Sequence, residues 1–271
     1  MRASPTFGAN ALMKFLIVLV IVGFVLLLLR RRRTSKSKAP EIPENKEHEL
    51  LVKHVRFYQS LNAEDQASFR ERIQHFLDTV TITPVGEVVL TDLDRLYVAA
   101  AAIIPIFSYK DWAYNNLNEV LIYPNAFTKD FKGKPKESNV LGMVGDGAMH
   151  RMMILSIGSL RAGFEQASAN NTGIHEFVHL LDKSDGATDG IPEAMLPPEL
   201  VASWVQYMHR AIEEIRRGSS DINPYGGTNE AEFFAVISEY FFQKPDKLKE
   251  HHPELWGLLE KIYQVDPAAH H

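Results

Sequence analysis

The sequence predicts an α+β fold, a mainly helical domain with a small sheet, preceded by one N-terminal transmembrane helix. Three observations carry that reading. Apolar residues between positions 47 and 264 recur mostly at helical spacing. Only two short runs, 119–124 and 152–157, favour strands, and breakers bound them. Residues 15–29 form an unbroken apolar run, and four arginines at 30–33 follow at once.

The elements follow in chain order. Residues 1–11 are a short tail, and 12–29 are just long enough to span a bilayer, with Lys14 able to snorkel to the interface. A cleaved export signal would carry its charge before the apolar run and a small-residue site after it, and here the arginines come after. That flank is far more basic than the other, so the positive-inside rule places the rest of the chain in the cytoplasm. Residues 30–45, with Lys36, Lys38 and two prolines, read as a basic juxtamembrane linker. A single folded domain is expected over 46–271. Helices are predicted over 47–60 and 64–78, the second capped by Asn62, and then over 92–104. After the two strands, further helices are predicted over 171–182, 198–217, 229–242 and 254–264. The strand at 152–157 is expected to offer a free edge to a substrate backbone.

Composition narrows the chemistry. With 45% hydrophobic and 23% charged residues the chain is an ordinary globular one. It has no cysteine, which excludes disulfides, thiolate zinc clusters and a cysteine nucleophile, so any metal must be held by His, Asp or Glu. Residues 1–38 hold eight Lys or Arg and no acid, leaving −13 on the remainder of a chain whose total is −5. So acidic a domain is a poor match for phosphate backbones, and no nucleic-acid partner is expected.

The strongest chemical signal is His175-Glu176-Phe177-Val178-His179 within a predicted helix. Histidines four apart share one helical face and can reach a single ion, while Glu176, rotated by about 100°, can address a water there. Ile174, Phe177, Val178, Leu180 and Leu181 make this helix apolar nearly all round, so its histidines are expected to be buried and in need of a cation. A catalytic zinc takes three protein ligands and keeps an open position. The third is sought in the apolar segment 229–242, where Glu232 and Glu239 lie seven apart on one face, whereas Glu230 falls near the helix start and suits its dipole. Separation alone does not choose between Glu232 and Glu239. Asp182, three residues after His179, and Glu239 are candidates for the carboxylates that orient metal-bound imidazoles. The acids at 182, 185 and 189 lack the ligand spacing of a calcium loop and read as a turn.

Three blocks carry a resemblance. Residues 174–182 (Ile-His-Glu-Phe-Val-His-Leu-Leu-Asp), 231–242 (Ala-Glu-Phe-Phe-Ala-Val-Ile-Ser-Glu-Tyr-Phe-Phe) and 120–127 (Val-Leu-Ile-Tyr-Pro-Asn-Ala-Phe) resemble the Mlc titration factor A family of bacterial zinc peptidases. Looser similarity runs from about residue 61 to 267, and the N-terminal span lies outside the soluble family pattern. The resemblance implies a zincin-like metallopeptidase domain of gluzincin type, with Zn2+ on His175, His179 and Glu232 and with Glu176 as catalytic base. The family's metal domain is similar to the catalytic domain of anthrax lethal factor, where a tyrosine stands seven residues before the ligand Glu; Tyr225 occupies that place here. Tyr225 is therefore expected to donate to an oxyanion.

The expected function is a single-pass, membrane-anchored zinc peptidase of the bacterial cytoplasmic membrane, facing the cytoplasm. The resemblance implies aminopeptidase-like action on short peptides. It also implies an alternative, a membrane-tethered protein that sequesters a transcriptional repressor of sugar uptake with little turnover. Pure binding has no need of Glu176, which favours the enzyme.

Overall fold

The computed structural model describes residues 42–124, 142–144, 151–166, 168 and 170–269. The predicted transmembrane helix at 12–29 and most of the linker at 30–45 lie outside these residues. Among those described, no helix is long and apolar enough to cross a membrane.

The domain starts with α1 (Glu44–His54) and α2 (Arg56–Gln59), where one continuous helix was expected. Val55 between them is extended (φ −117, ψ 99), and the Gln59 amide donates to the Val52 carbonyl (2.6 Å), satisfying an acceptor that the broken helix frees. The next helix, α3 (Ala63–Thr79), begins as predicted, with the Asn62 side chain accepting from the Asp65 amide (2.9 Å). Arg72 on α3 donates to the carbonyls of Ile106, Phe107 and Tyr109, pinning the turn after α4 (Asp92–Ile103).

Among the described residues, four strands form one sheet, in the order β1-β2-β4-β3. β1 (Thr81–Pro84), β2 (Glu119–Tyr123) and β4 (Met152–Ser156) run parallel, with Val120 facing both Ile82 and Met153, while β3 (Gly142–Val144) is antiparallel to β4. This corrects the expected free edge: β4 is hydrogen-bonded on both sides, and among the described residues the outer strand beside it is β3. Residue 157, read as strand, instead opens α5 (Ile157–Glu165), capped by Ser156.

The remaining α-helices among the described residues are α6 (Thr172–Asp182), α7 (Val201–Arg216), α8 (Glu230–Gln243), α9 (Pro245–His251) and α10 (Pro253–Tyr263). α6 packs on α4, α8 and the β3–β4 side of the sheet, so its apolar circumference is covered as its composition requires. Phe177 locks it from one side, against Phe76 (5.7 Å between ring centroids) and Tyr114 (5.1 Å). α8 is held by Trp204 against Phe233 and Phe234, and by Tyr263 against Phe234, Phe241 and Phe242. Burying each such ring contributes about 2–3 kcal/mol. The two helices carrying the predicted site residues are thus among the most firmly packed.

Candidate metal centre

The helix α6 starts from an asparagine cap. The Asn171 side chain accepts from the Ile174 amide (3.1 Å) and donates to the Gly163 carbonyl (3.0 Å), joining α6 to α5. From that fixed start, His175 and His179 fall one turn apart, their rings 4.7 Å apart at 86° and their Nε2 atoms separated by 3.1 Å. α8 begins likewise, with Asn229 Oδ1 accepting from the Glu232 amide (2.9 Å).

The face shared by Glu232 and Glu239 meets these histidines, and the two acids divide the work that spacing left open. Glu232 Oε2 lies 3.0 Å from His175 Nε2 and 3.4 Å from His179 Nε2. Glu239 Oε1 instead takes the other ring nitrogen, His175 Nδ1, at 2.7 Å, while its Oε2 accepts from the Asn171 amide. His175, His179 and Glu232 thus bring one ligand atom each to within 4.8 Å of one another.

The chemistry of this set fits a divalent metal. When the ring of His175 is neutral and its Nδ1 proton goes to Glu239, its Nε2 presents a lone pair toward the Nε2 of His179 and the carboxylate of Glu232. Three electron-rich atoms converge there, and a cation is what such a group requires. The protonation equilibria express the same demand. Burial opposes charge on His175, but the hydrogen bonds of Glu232 and Glu239 outweigh it and push its pKa well up. Burial also works against ionised Glu232, but the two histidines hold its carboxyl far below the usual range. Glu176 is buried as well, and burial raises its pKa against the pull of both histidines.

Tyr225 sits in a 3-10 turn, Pro224–Gly227, at the mouth of the cluster, half exposed, with its hydroxyl donating to Glu232 Oε1 (3.3 Å). Burial of the phenol and the adjacent Glu232 charge push its pKa to about 12, so it remains a donor. Its loop is set by a residue that sequence reasoning missed. Asn223 Oδ1 accepts from the Tyr225 amide (3.0 Å), and its Nδ2 donates to Asn170 Oδ1 (3.1 Å), one residue before the α6 cap.

Asp182 is fully buried but does not take the imidazole proton expected of it. Its Oδ2 accepts from the Gly190 amide (3.0 Å), where the chain turns back over the end of α6, while Asp182 Oδ1 and His179 Nδ1 have no hydrogen-bond partner among the described residues. Where a turn was expected, Lys183–Asp185 continue α6 as a 3-10 helix ended by Gly186, and a loop follows in which Asp185 and Asp189 accept from the amides of Ala187 and Ile191.

Comparison with known proteins agrees with this arrangement. The family described as glucose-regulated metallo-peptidase M90 matches residues 28–264. Mlc titration factor A of Pectobacterium atrosepticum is 29% identical over 225 residues, covering 77% of this chain and 82% of that protein. The Mlc titration factor A of Escherichia fergusonii is 30% identical, with 77% and 82% covered, and an uncharacterized protein of Synechocystis sp. is 30% identical, with 80% and 83% covered. The family match runs through every element that builds the cluster, from the caps of α6 and α8 to the turn of Tyr225, and the chain belongs to the glucose-regulated metallo-peptidase M90 family, among relatives named Mlc titration factor A.

Proposed function

We propose that this chain is a zinc-dependent peptidase, aminopeptidase-like toward short peptides, held at the inner face of the bacterial cytoplasmic membrane by residues 12–29. The observation that carries the chemistry is the convergence of His175, His179 and Glu232 beside the buried Glu176. Zinc held by those three residues would supply Lewis acidity, bringing the pKa of a bound water to about 7 and polarising a carbonyl. Glu176 accepts the proton of the attacking water and returns it to the leaving amine. The Tyr225 phenol donates to the oxygen that gains negative charge, and Glu239 keeps the Nδ1 proton on His175 so that Nε2 stays available. A peptide backbone pairs with the outer strand β3, which packs against α6.

The relatives' name, Mlc titration factor A, supports a second reading in which the chain also binds a transcriptional repressor. Binding alone has no use for a buried carboxylate beside the histidines, so catalysis is placed first. The experiment is to purify the full-length chain without a histidine tag and measure bound zinc. Cleavage of a mixed peptide library is then compared with that of Glu176→Gln. One zinc per chain with cleavage by the parent alone is expected. Zinc without cleavage would transfer the weight to the binding reading, and absence of zinc would overturn the site.

A further inference from the structure

Gly190 meets the start of α8 so closely that no other residue fits there. Its φ is +74, and a Cβ built on it would lie 2.3 Å from the Glu230 carbonyl oxygen and 2.6 Å from its carbon, with Met208 Sδ at 3.1 Å. Real Cβ contacts essentially never fall below 3.0 Å, so a side chain here must open the gap by about 0.7 Å against backbone, not against a yielding side chain. The glycine cannot easily retreat. Its amide donates to Asp182 (3.0 Å) and its carbonyl accepts from the indole of Trp204 (2.7 Å), and both of those side chains are fully buried. Gly186 (φ +101) and Gly218 (φ +70) have similar backbone conformations with nothing within 4 Å, so positive φ alone does not explain the packing at Gly190.

We infer that Gly190, clamped by Asp182 and Trp204, is a positioning residue that sets Glu232 against the two histidines. Glu230 is the first residue of α8, and the Asn229 cap makes residues 229–232 one rigid turn, so displacement at Glu230 reaches Glu232. A site of this kind tolerates about 0.5 Å of misplacement and metal–ligand distances hold to about 0.2 Å, both smaller than the shift a single methyl group imposes. The inference rests on Glu232 being a metal ligand.

The test uses the full-length chain and the metal alone. Zinc affinity is measured by competition with a chromophoric chelator, and ligand geometry by the visible spectrum of the cobalt(II)-loaded protein. Gly190→Ala is expected to weaken zinc at least about tenfold and to change the cobalt spectrum, whereas Gly186→Ala and Gly218→Ala keep the parental values. Glu232→Ala separates the two claims. Parental affinity in that variant refutes the ligand assignment, while its loss together with parental affinity and spectrum in Gly190→Ala refutes the positioning role. Should Gly190→Ala not fold, the Asp182 pair decides. Asp182→Ala removes the acceptor of the Gly190 amide and is expected to lower affinity about tenfold, and Asp182→Asn, which keeps an acceptor oxygen, to restore it. Parental affinity in Asp182→Ala, or equal loss in both variants, overturns the inference.

Discussion

His175 gives both ring nitrogens to carboxylates on one helix, and this single residue explains why α8 carries two acids, Glu232 and Glu239, on the face turned to α6. Glu239 binds Nδ1 and thereby fixes the tautomer that leaves Nε2 free for the side of the ring where Glu232 stands. Glu176 lies on the same helix but is no member of the ligand group, so its loss and that of a histidine should be separable. Glu176→Gln is expected to retain zinc and to lower kcat by at least about 1000-fold, since it removes the group that moves the proton; His179→Ala should lose zinc and activity together. Metal analysis beside turnover distinguishes the two, and full activity in Glu176→Gln would defeat the mechanism. Tyr225 offers the complementary case. In the proposed mechanism its phenol, kept protonated by a pKa of about 12, acts only when charge develops on the substrate oxygen. Tyr225→Phe is expected to lower kcat about 100-fold with KM nearly unchanged. A change confined to KM would show that the tyrosine binds substrate without assisting its reaction.

At the scale of elements, Asp221 ties the turn of Tyr225 to the helices behind it. Its Oδ2 accepts from the Tyr240 hydroxyl (2.7 Å) and faces His251 Nδ1 (2.9 Å) and Lys247 Nζ (3.1 Å), while Oδ1 faces His252 Nε2 (2.6 Å). Burial alone would raise its pKa, but these four partners outweigh burial and hold the carboxyl well below the usual range. A depressed pKa in the folded state stabilises the fold above the unfolded value near 4, and the contribution fades as pH falls through the folded value. Asp221→Asn is therefore expected to lower stability by about 2 kcal/mol at pH 7, with the gap to the parent closing progressively below about pH 4 in urea titrations. A gap that does not narrow on acidification would remove the charge from the explanation. The long helices and the pairing of His175 with His179 were legible because period and spacing act within one element. What escaped the sequence depends on contacts between elements. β1 is four residues ending in Pro84 and exists by pairing with β2, and α5 carries two glycines, Gly158 and Gly163, in nine residues, which weakens any helical signal. The roles of Asp182 and Gly190 were hidden because their partners, an amide turning back over α6 and the start of α8, lie far along the chain.

For the whole molecule, charge and anchoring belong to one argument. A −13 remainder is joined to a segment of eight cations, so the chain is strongly polarised from end to end. On the proposed anchoring, the cations at 30–38 would meet an anionic inner leaflet, at about 1 kcal/mol per Lys or Arg close to the surface, and the same leaflet would repel the acidic remainder. Two measurements follow from that arrangement. The full-length chain is expected in the membrane fraction and resistant to alkaline carbonate extraction, whereas a chain lacking residues 1–41 should be released. On the proposed orientation, in which the arginines at 30–33 keep their flank inside, the domain in intact spheroplasts should survive external protease and be digested only after lysis. Replacing those four arginines by glutamine removes the charge asymmetry without shortening the span and should expose a fraction of the chains to the protease. Digestion of the parental domain in intact spheroplasts would reverse the orientation, and with it any access to a cytoplasmic repressor or peptide pool.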